Sequence, residues 1–229
     1  MLPRETIATA QIPGGDTLTL VSHGRDFIIM LGRDELMGTR MQFSEEQLAL
    51  LTLERLTAPA PRILIGGYGM GFTYRAALAK LPPKGRIVVA EVVPEIIDWA
   101  HGPLAHLTGN TLADPHGEVV LCDVAAIVDD ANDGTCDKFD AILLDVDNGP
   151  DGIVRDGNER LYTRTGIARM RDALKPGGVL SIWSAAPDHK FTGRLKDAGF
   201  LVDVQTVRAR PNNKGPHHTI WFATKGQKS

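Results

Sequence analysis

The chain has 229 residues, 43% of them hydrophobic and 23% charged, with a formal net charge of -3. That length suits one medium domain with a small appendage, and the composition excludes disordered, collagen-like and disulfide-framework chains. No apolar run approaches the roughly 20 residues that span a bilayer, the first residues carry no signal-peptide pattern and no strongly basic stripe is present, so a cytoplasmic protein with no membrane and no nucleic-acid partner is expected.

The first 35 residues alternate apolar and polar positions between turns, which predicts three short antiparallel strands over Ile7 to Ile12, Thr17 to Val21 and Asp26 to Leu31. Ser44 and Gln47 have capping-box spacing at the start of a helix that must stop before Pro59 and Pro61. From Arg62 onward the rhythm becomes strand, turn, helix. Strands are predicted over Ile63 to Ile65, Arg86 to Glu91, Val119 to Cys122, Ala141 to Asp145 and Val179 to Trp183. Helices follow over Thr73 to Leu81, Pro94 to Ala100, a short stretch after Cys122, and Thr163 to Leu174. Alternation of this kind implies a parallel sheet covered on both faces. Leu201 to Val207 and Thr219 to Thr224 read as a final antiparallel pair joined by a loop. The expected division is a β meander over 1–42, a connecting helix over 43–60 and a Rossmann-like α/β domain over 61–229.

The most informative stretch runs from Ile63-Leu64-Ile65 into Gly66-Gly67-Tyr68-Gly69-Met70-Gly71, a strand entering a glycine turn that opens a helix. Glycines there let backbone N–H groups approach a ligand, and Glu91, 20 residues past Gly71 at the next strand end, can accept hydrogen bonds from ribose hydroxyls. A dinucleotide fingerprint needs G-x-G-x-x-G/A; counted from Gly67 and Gly69, its last position is Phe72, and glycine stands one residue early. The turn is therefore more like a class I S-adenosylmethionine site than a nicotinamide site. Asp123, ending the third strand, suits an adenine amino group or a helix cap. Asp145, Asp147 and Asn148, after the fourth strand, stand where an open parallel sheet has its ligand crevice, and could orient an amine and accept its proton; Asp147 and Asn148 equally suit a plain turn. Tyr68, beside the cofactor, and Tyr162, as a catalytic candidate, could wall the pocket or direct a hydroxyl, or serve as packing aromatics. The acids Glu45 and Glu46 open the helix on the acceptor side, or complement its N-terminus. The segment from Arg208 through Arg210, Lys214, His217 and His218 reads as a basic loop. The histidines lack metal-ligand spacing, so no metal is expected, and Cys122 and Cys136 form no CxxC pair, as in a reducing compartment.

These residues resemble the spermidine synthase family over most of the chain. The GGYGMG turn, Glu91, Asp123 and Asp145 fall at its glycine-turn, ribose, adenine and catalytic positions. Leu161-Tyr162 and Ala173-Leu174-Lys175-Pro176-Gly177-Gly178-Val179-Leu180 match its later helix start and turn. The meander and Phe43-Ser44-Glu45-Glu46 fall where that family has its β domain and substrate helix. The resemblance implies a class I S-adenosylmethionine-dependent methyltransferase fold with an antiparallel last strand, a small-molecule acceptor and a homodimer. The departures bear on the reaction. Gly69 replaces the aspartate that holds the amine of decarboxylated S-adenosylmethionine, Asn148 replaces a second acid, and Glu45 replaces a tunnel tyrosine. Losing those amine partners points to intact S-adenosylmethionine and methyl transfer to a small molecule. Aminopropyl transfer from decarboxylated S-adenosylmethionine, with Glu45, Glu46 and Asp147 rebuilding the amine site, is the alternative, and a non-catalytic nucleoside-binding member is a third.

Overall fold

The computed structural model of the protein describes residues 3–146, 149–150 and 158–227. A four-stranded antiparallel meander comes first: β1 (Glu5–Gln11), β2 (Thr17–His23), β3 (Asp26–Leu31) and β4 (Asp34–Gly38), in that spatial order. Leu20 pairs with Ile29 across β2 and β3, and both are buried, which gives the meander one apolar face. The sequence pattern predicts β1 to β3 and misses β4, which is only five residues long and begins just past Gly32 at φ +57.

Helix α1 (Phe43–Leu53) bridges the meander and the larger sheet. The expected capping box does not form: Gln42 is the N-cap, Ser44 lies inside the first turn, and its hydroxyl bonds elsewhere. Leu48, Ala49 and Thr52 are fully buried, and Thr52 Oγ1 lies 2.7 Å from Ser181 Oγ. That contact fixes the helix against the second sheet.

The second sheet contains β5 (Arg62–Gly66), β6 (Arg86–Glu91), β7 (Gly117–Leu121), β8 (Phe139–Leu144), β9 (Leu174–Ser184), β10 (Phe200–Arg210) and β11 (Lys214–Lys225). Its order is β10-β11-β9-β8-β5-β6-β7; strands β5 to β9 pair parallel, and β11 runs antiparallel to both neighbours. This is the expected Rossmann-like class I architecture with its smaller antiparallel sheet. Ile63, Leu64 and Ile65 are at most 1% exposed because helices cover both faces. Those helices are α2 (Phe72–Lys80), α3 (Pro94–His101), α4 (Ala105–Thr108), α5 (Val124–Asp133), α6 (Glu159–Tyr162), α7 (Arg164–Ala173) and α8 (His189–Asp197). Strand order reverses between β5 and β8, so the ends of those strands open the crevice in which such sheets hold ligands.

Two further details differ from the sequence reading. Helix α8 is additional: Asp188 caps it by accepting from Phe191 N at 2.9 Å, and Phe191 and Leu195 bury one face. The basic loop is instead the tip of the β10–β11 hairpin, turned by Asn212 and Asn213 at φ +58 and +60. Burial along β11 begins there: His217 is exposed, and His218 through Ala223 are buried without a break.

Candidate active site

The crevice holds a partly open cavity with an accessible volume of about 130 Å³. One water needs about 10–15 Å³ on that measure, so the space suits a larger ligand. Its two sides differ chemically. The meander contributes Ile12, Leu18, Ile29, Leu31, Leu36 and Met37; the sheet and α1 contribute Glu45, Gly67, Gly69, Glu91, Asp123 and Asp145. Four carboxylates therefore face an apolar wall.

The glycine turn is shaped by close approach. Gly67, Gly69 and Gly71 have φ of +87, +53 and +75, where other residues are strained. A Cβ on Gly67 would collide with the Asp145 carbonyl, and one on Gly71 would come within 2.8 Å of the Tyr68 hydroxyl. One on Gly69 would lie 2.7 Å from Met37. The tyrosine itself is buried with its ring tilted against Tyr74 at 5.9 Å, so it packs the turn, and burial pushes its hydroxyl up to about 12.

Glu91 ends β6 and organises the turn. Its Oε2 accepts from Tyr68 N at 2.9 Å, and its Oε1 accepts from Val92 N and Val93 N at 2.8 and 2.9 Å. A carboxylate has about four lone-pair sites, so three are taken and one, on Oε2, remains for a ligand hydroxyl. Asp123 lines the cavity and also caps α5, accepting from Ala125 N at 2.8 Å; its other oxygen pairs with Arg160. Of the two roles read from the sequence for Asp123, the helix cap is the one observed, and the same carboxylate faces the cavity.

At the floor of the cavity stand Glu45 and Asp145. Thr73, in the first turn of α2, joins them: its Oγ1 is 2.6 Å from Asp145 Oδ2 and 3.1 Å from the Glu45 carbonyl. Burial, then the neighbouring Asp145 charge, hold the Glu45 carboxyl far above the ordinary carboxylate range, although the Ser44 hydrogen bond opposes this. Burial raises Asp145 as well, opposed by the Thr73 hydroxyl. Two acids that resist ionising side by side have the chemistry to receive a cation or to hold a proton. Behind Glu45, Ser44 Oγ lies 2.7 Å from Glu45 Oε2 and 2.8 Å from His218 Nδ1.

The remaining candidates are placed elsewhere. Glu46 turns to Arg75 at 3.3 Å, across α1 and α2, because a half-buried glutamate there meets a cation already anchored on the Leu107 carbonyl. Tyr162 is buried in the core on the other face of the sheet, edge-on to Phe191 at 5.8 Å, since its position in α6 points it under α8. Asp147 and Asn148 lie outside the described residues. The sequence reading missed Met37, Thr73 and His218, and assigned Ser44 to capping. None of the four stood out in the sequence, where His218 closes the basic segment just ahead of the strand expected from Thr219. Among the described residues no cluster of His, Cys, Asp or Glu is placed to hold a metal, and no helix is long and apolar enough to cross a membrane.

Comparison with known proteins adds to this geometry. Residues 41–190 match the family model described as the spermine/spermidine synthase domain. The chain is 34% identical over 147 residues to a polyamine aminopropyltransferase of Nitrosomonas europaea. That match covers 64% of this chain and 42% of the relative, so the chain spans less than half of that protein's length. Spermidine synthase from Thermotoga maritima superposes with a TM-score of 0.75 at 20% identity, covering 97% of this chain and 74% of the other. Human methyltransferase-like protein 13 in complex with SAH superposes with a TM-score of 0.63 at 18% identity, covering 80% and 83%. These two structural likenesses speak for the fold.

Proposed function

The chain belongs to the spermine/spermidine synthase family, and from that premise we propose that it transfers an aminopropyl group from decarboxylated S-adenosylmethionine to an amine. The sequence alone puts methyl transfer first; the family and the name of the Nitrosomonas relative put the aminopropyl alternative first, and the proposal follows them. The observation that carries it is the buried pair of Glu45 and Asp145, joined through Thr73 on the cavity floor.

In this reading the acceptor enters as an ammonium ion, whose charge favours ionisation of the pair. One carboxylate takes a proton and leaves the nitrogen lone pair free. The lone pair forms a C–N bond with the carbon beside the sulfonium. The C–S bond breaks, its electron pair stays on sulfur, and methylthioadenosine departs as a neutral thioether. Glu91 holds a ribose hydroxyl through its remaining lone pair, and Asp123 meets the adenine amino group. Holding donor and acceptor in line supplies much of the rate.

Methyl transfer from intact S-adenosylmethionine is kept as a second reading because Gly69 offers no carboxylate and Met37 lies over it. Incubation with either donor and a panel of amines separates the two. Methylthioadenosine formed from the decarboxylated donor is expected; S-adenosylhomocysteine formed from the intact donor, with no methylthioadenosine, would reverse the order.

A further inference from the structure

Ser44 is placed between two titratable groups and serves neither as a cap nor as a ligand. Its Oγ is 2.7 Å from Glu45 Oε2 and 2.8 Å from His218 Nδ1, and all three residues are buried. A hydroxyl carries one proton, so Ser44 cannot donate in both directions. When Glu45 is ionised, Ser44 donates to it, and its oxygen accepts a hydrogen bond from Nδ1–H of His218. When Glu45 is protonated, its carboxyl can donate to Ser44, which then donates to a bare Nδ1 while His218 keeps its proton on Nε2. The state of Glu45 and the tautomer of His218 are thereby tied through one serine.

We infer that Ser44 and His218 form a positioning chain behind Glu45 that orients its carboxyl and sets how readily it takes a proton from the cavity. The inference rests on the proposed amine reading only for the source of that proton. The surroundings fit the role. His218 is fixed on β11 opposite Val207, and its ring stands edge-on to the cavity residue Trp183 with centroids 4.7 Å apart. Burial pushes the imidazole down to about 4, so it acts as a neutral hydrogen-bond partner. A cationic imidazole would lock Glu45 in its ionised form; a neutral one lets it change state. The other groups facing Glu45 are Asp145 at the end of β8 and Glu46 on its own helix, both of which raise it, and the Thr73 hydroxyl on its carbonyl. Arg75 of α2 is engaged by Glu46.

The test uses the full chain without ligand and has two readouts. Nitrogen NMR of labelled histidine follows the His218 tautomer, and carbon NMR of labelled glutamate follows the Glu45 titration. His218 is expected to hold its proton on Nε2 while Glu45 is protonated, and on Nδ1 once Glu45 has ionised. Ser44→Ala should uncouple the two. His218→Phe keeps a ring against Trp183 but removes the hydrogen bond, and should move the Glu45 midpoint up by about 0.5–1 pH unit. His218→Asn, whose amide can reach Ser44, should restore it. A tautomer that stays constant through the Glu45 titration, or a midpoint equal in wild type, Ser44→Ala and His218→Phe, overturns the inference. Absence of amine transfer alongside a switching tautomer would remove the proposed reaction and leave the chain standing. Should His218→Phe fail to fold, Ser44→Ala carries the test alone.

Discussion

Met37 of β4 lies over Gly69 of the glycine turn, with its Sδ and Cε both 2.7 Å from the point where a Cβ on Gly69 would stand. The missing side chain on the turn and the methionine on the meander are complementary. Together they extend the apolar wall to the place where the resemblance puts an aspartate for the donor's amine. If the donor chain ends at that place, the methionine sets how well an ammonium group is received there.

Gly69→Asp should therefore fail alone and succeed in combination. The single variant forces a side chain into φ +53 and onto Met37, at an expected cost of about 1–3 kcal/mol in stability. Gly69→Asp with Met37→Ala opens the space for the carboxylate. Calorimetry should then show tighter binding of decarboxylated than of intact S-adenosylmethionine by about tenfold relative to wild type, as one charged hydrogen bond is worth about 1.5–3 kcal/mol. An unchanged preference would mean that the donor chain ends elsewhere.

Glu91 holds three backbone N–H groups besides facing the cavity, so its replacement has a double cost. Glu91→Ala should weaken nucleoside binding by about 1.5–3 kcal/mol and also lower stability by about 1–3 kcal/mol, because buried donors lose their acceptor. Glu91→Gln should fall between, since its amide nitrogen would face one of those donors. Thermal unfolding with and without S-adenosylhomocysteine checks both numbers. A stable Glu91→Ala protein with wild-type affinity would place the nucleoside elsewhere.

Much of the frame was legible because it is written in local patterns. The buried strand Ile63-Leu64-Ile65, the glycine turn after it and Glu91 at the next strand end are spaced by the geometry of a β-α-β unit. The floor of the site was only half legible. Asp145 follows from its place after β8, but its partner Glu45 comes from a helix some hundred residues earlier, and Thr73, which joins them, looks in sequence like any helix-start threonine. His218 was hidden for a different reason: beside Arg210, Lys214 and His217 it reads as part of a charged loop, and only the hairpin register turns it inward. Tyr162 shows the converse, an aromatic at a suggestive position that the tertiary packing claims for the core.

The acid pair gives stability a definite pH dependence. Both carboxyls have native pKa values above their unfolded ones, so the folded protein binds more protons through that window. Their contribution is fully present below about pH 4, the unfolded range, and is lost as pH rises through the native values. His218 acts in the opposite sense: its native value near 4 lies below the unfolded one, so its contribution is present above about pH 6.5 and lost as pH falls. Glu45→Gln should consequently be more stable than wild type at alkaline pH, by on the order of 1–3 kcal/mol, with the difference closing toward pH 5. Chemical denaturation at a series of pH values measures it. A saturating diamine should reverse part of the alkaline loss in wild type and not in Glu45→Gln.

Asp145→Asn separates chemistry from scaffold. The substitution keeps the size of the side chain and an oxygen for the Thr73 hydroxyl, which now lies 2.6 Å from Oδ2, and it removes both charge and basicity. If Asp145 accepts or orients the acceptor's proton, turnover should fall by about 10²–10⁴-fold while nucleoside affinity changes little. Stability should hold or improve above neutral pH, because an acid that burial disfavours as an anion has been replaced by a neutral amide. The variant should also make Glu45 easier to ionise, since the neighbouring charge that raises it is gone, and carbon NMR of labelled glutamate would show its midpoint moving down. A carboxylate that merely shapes the strand end predicts something else: about 1 kcal/mol of lost stability and nearly intact turnover. Wild-type turnover with a lowered melting temperature would move Asp145 out of the reaction, and an unmoved Glu45 midpoint would show that the two acids do not act as a pair.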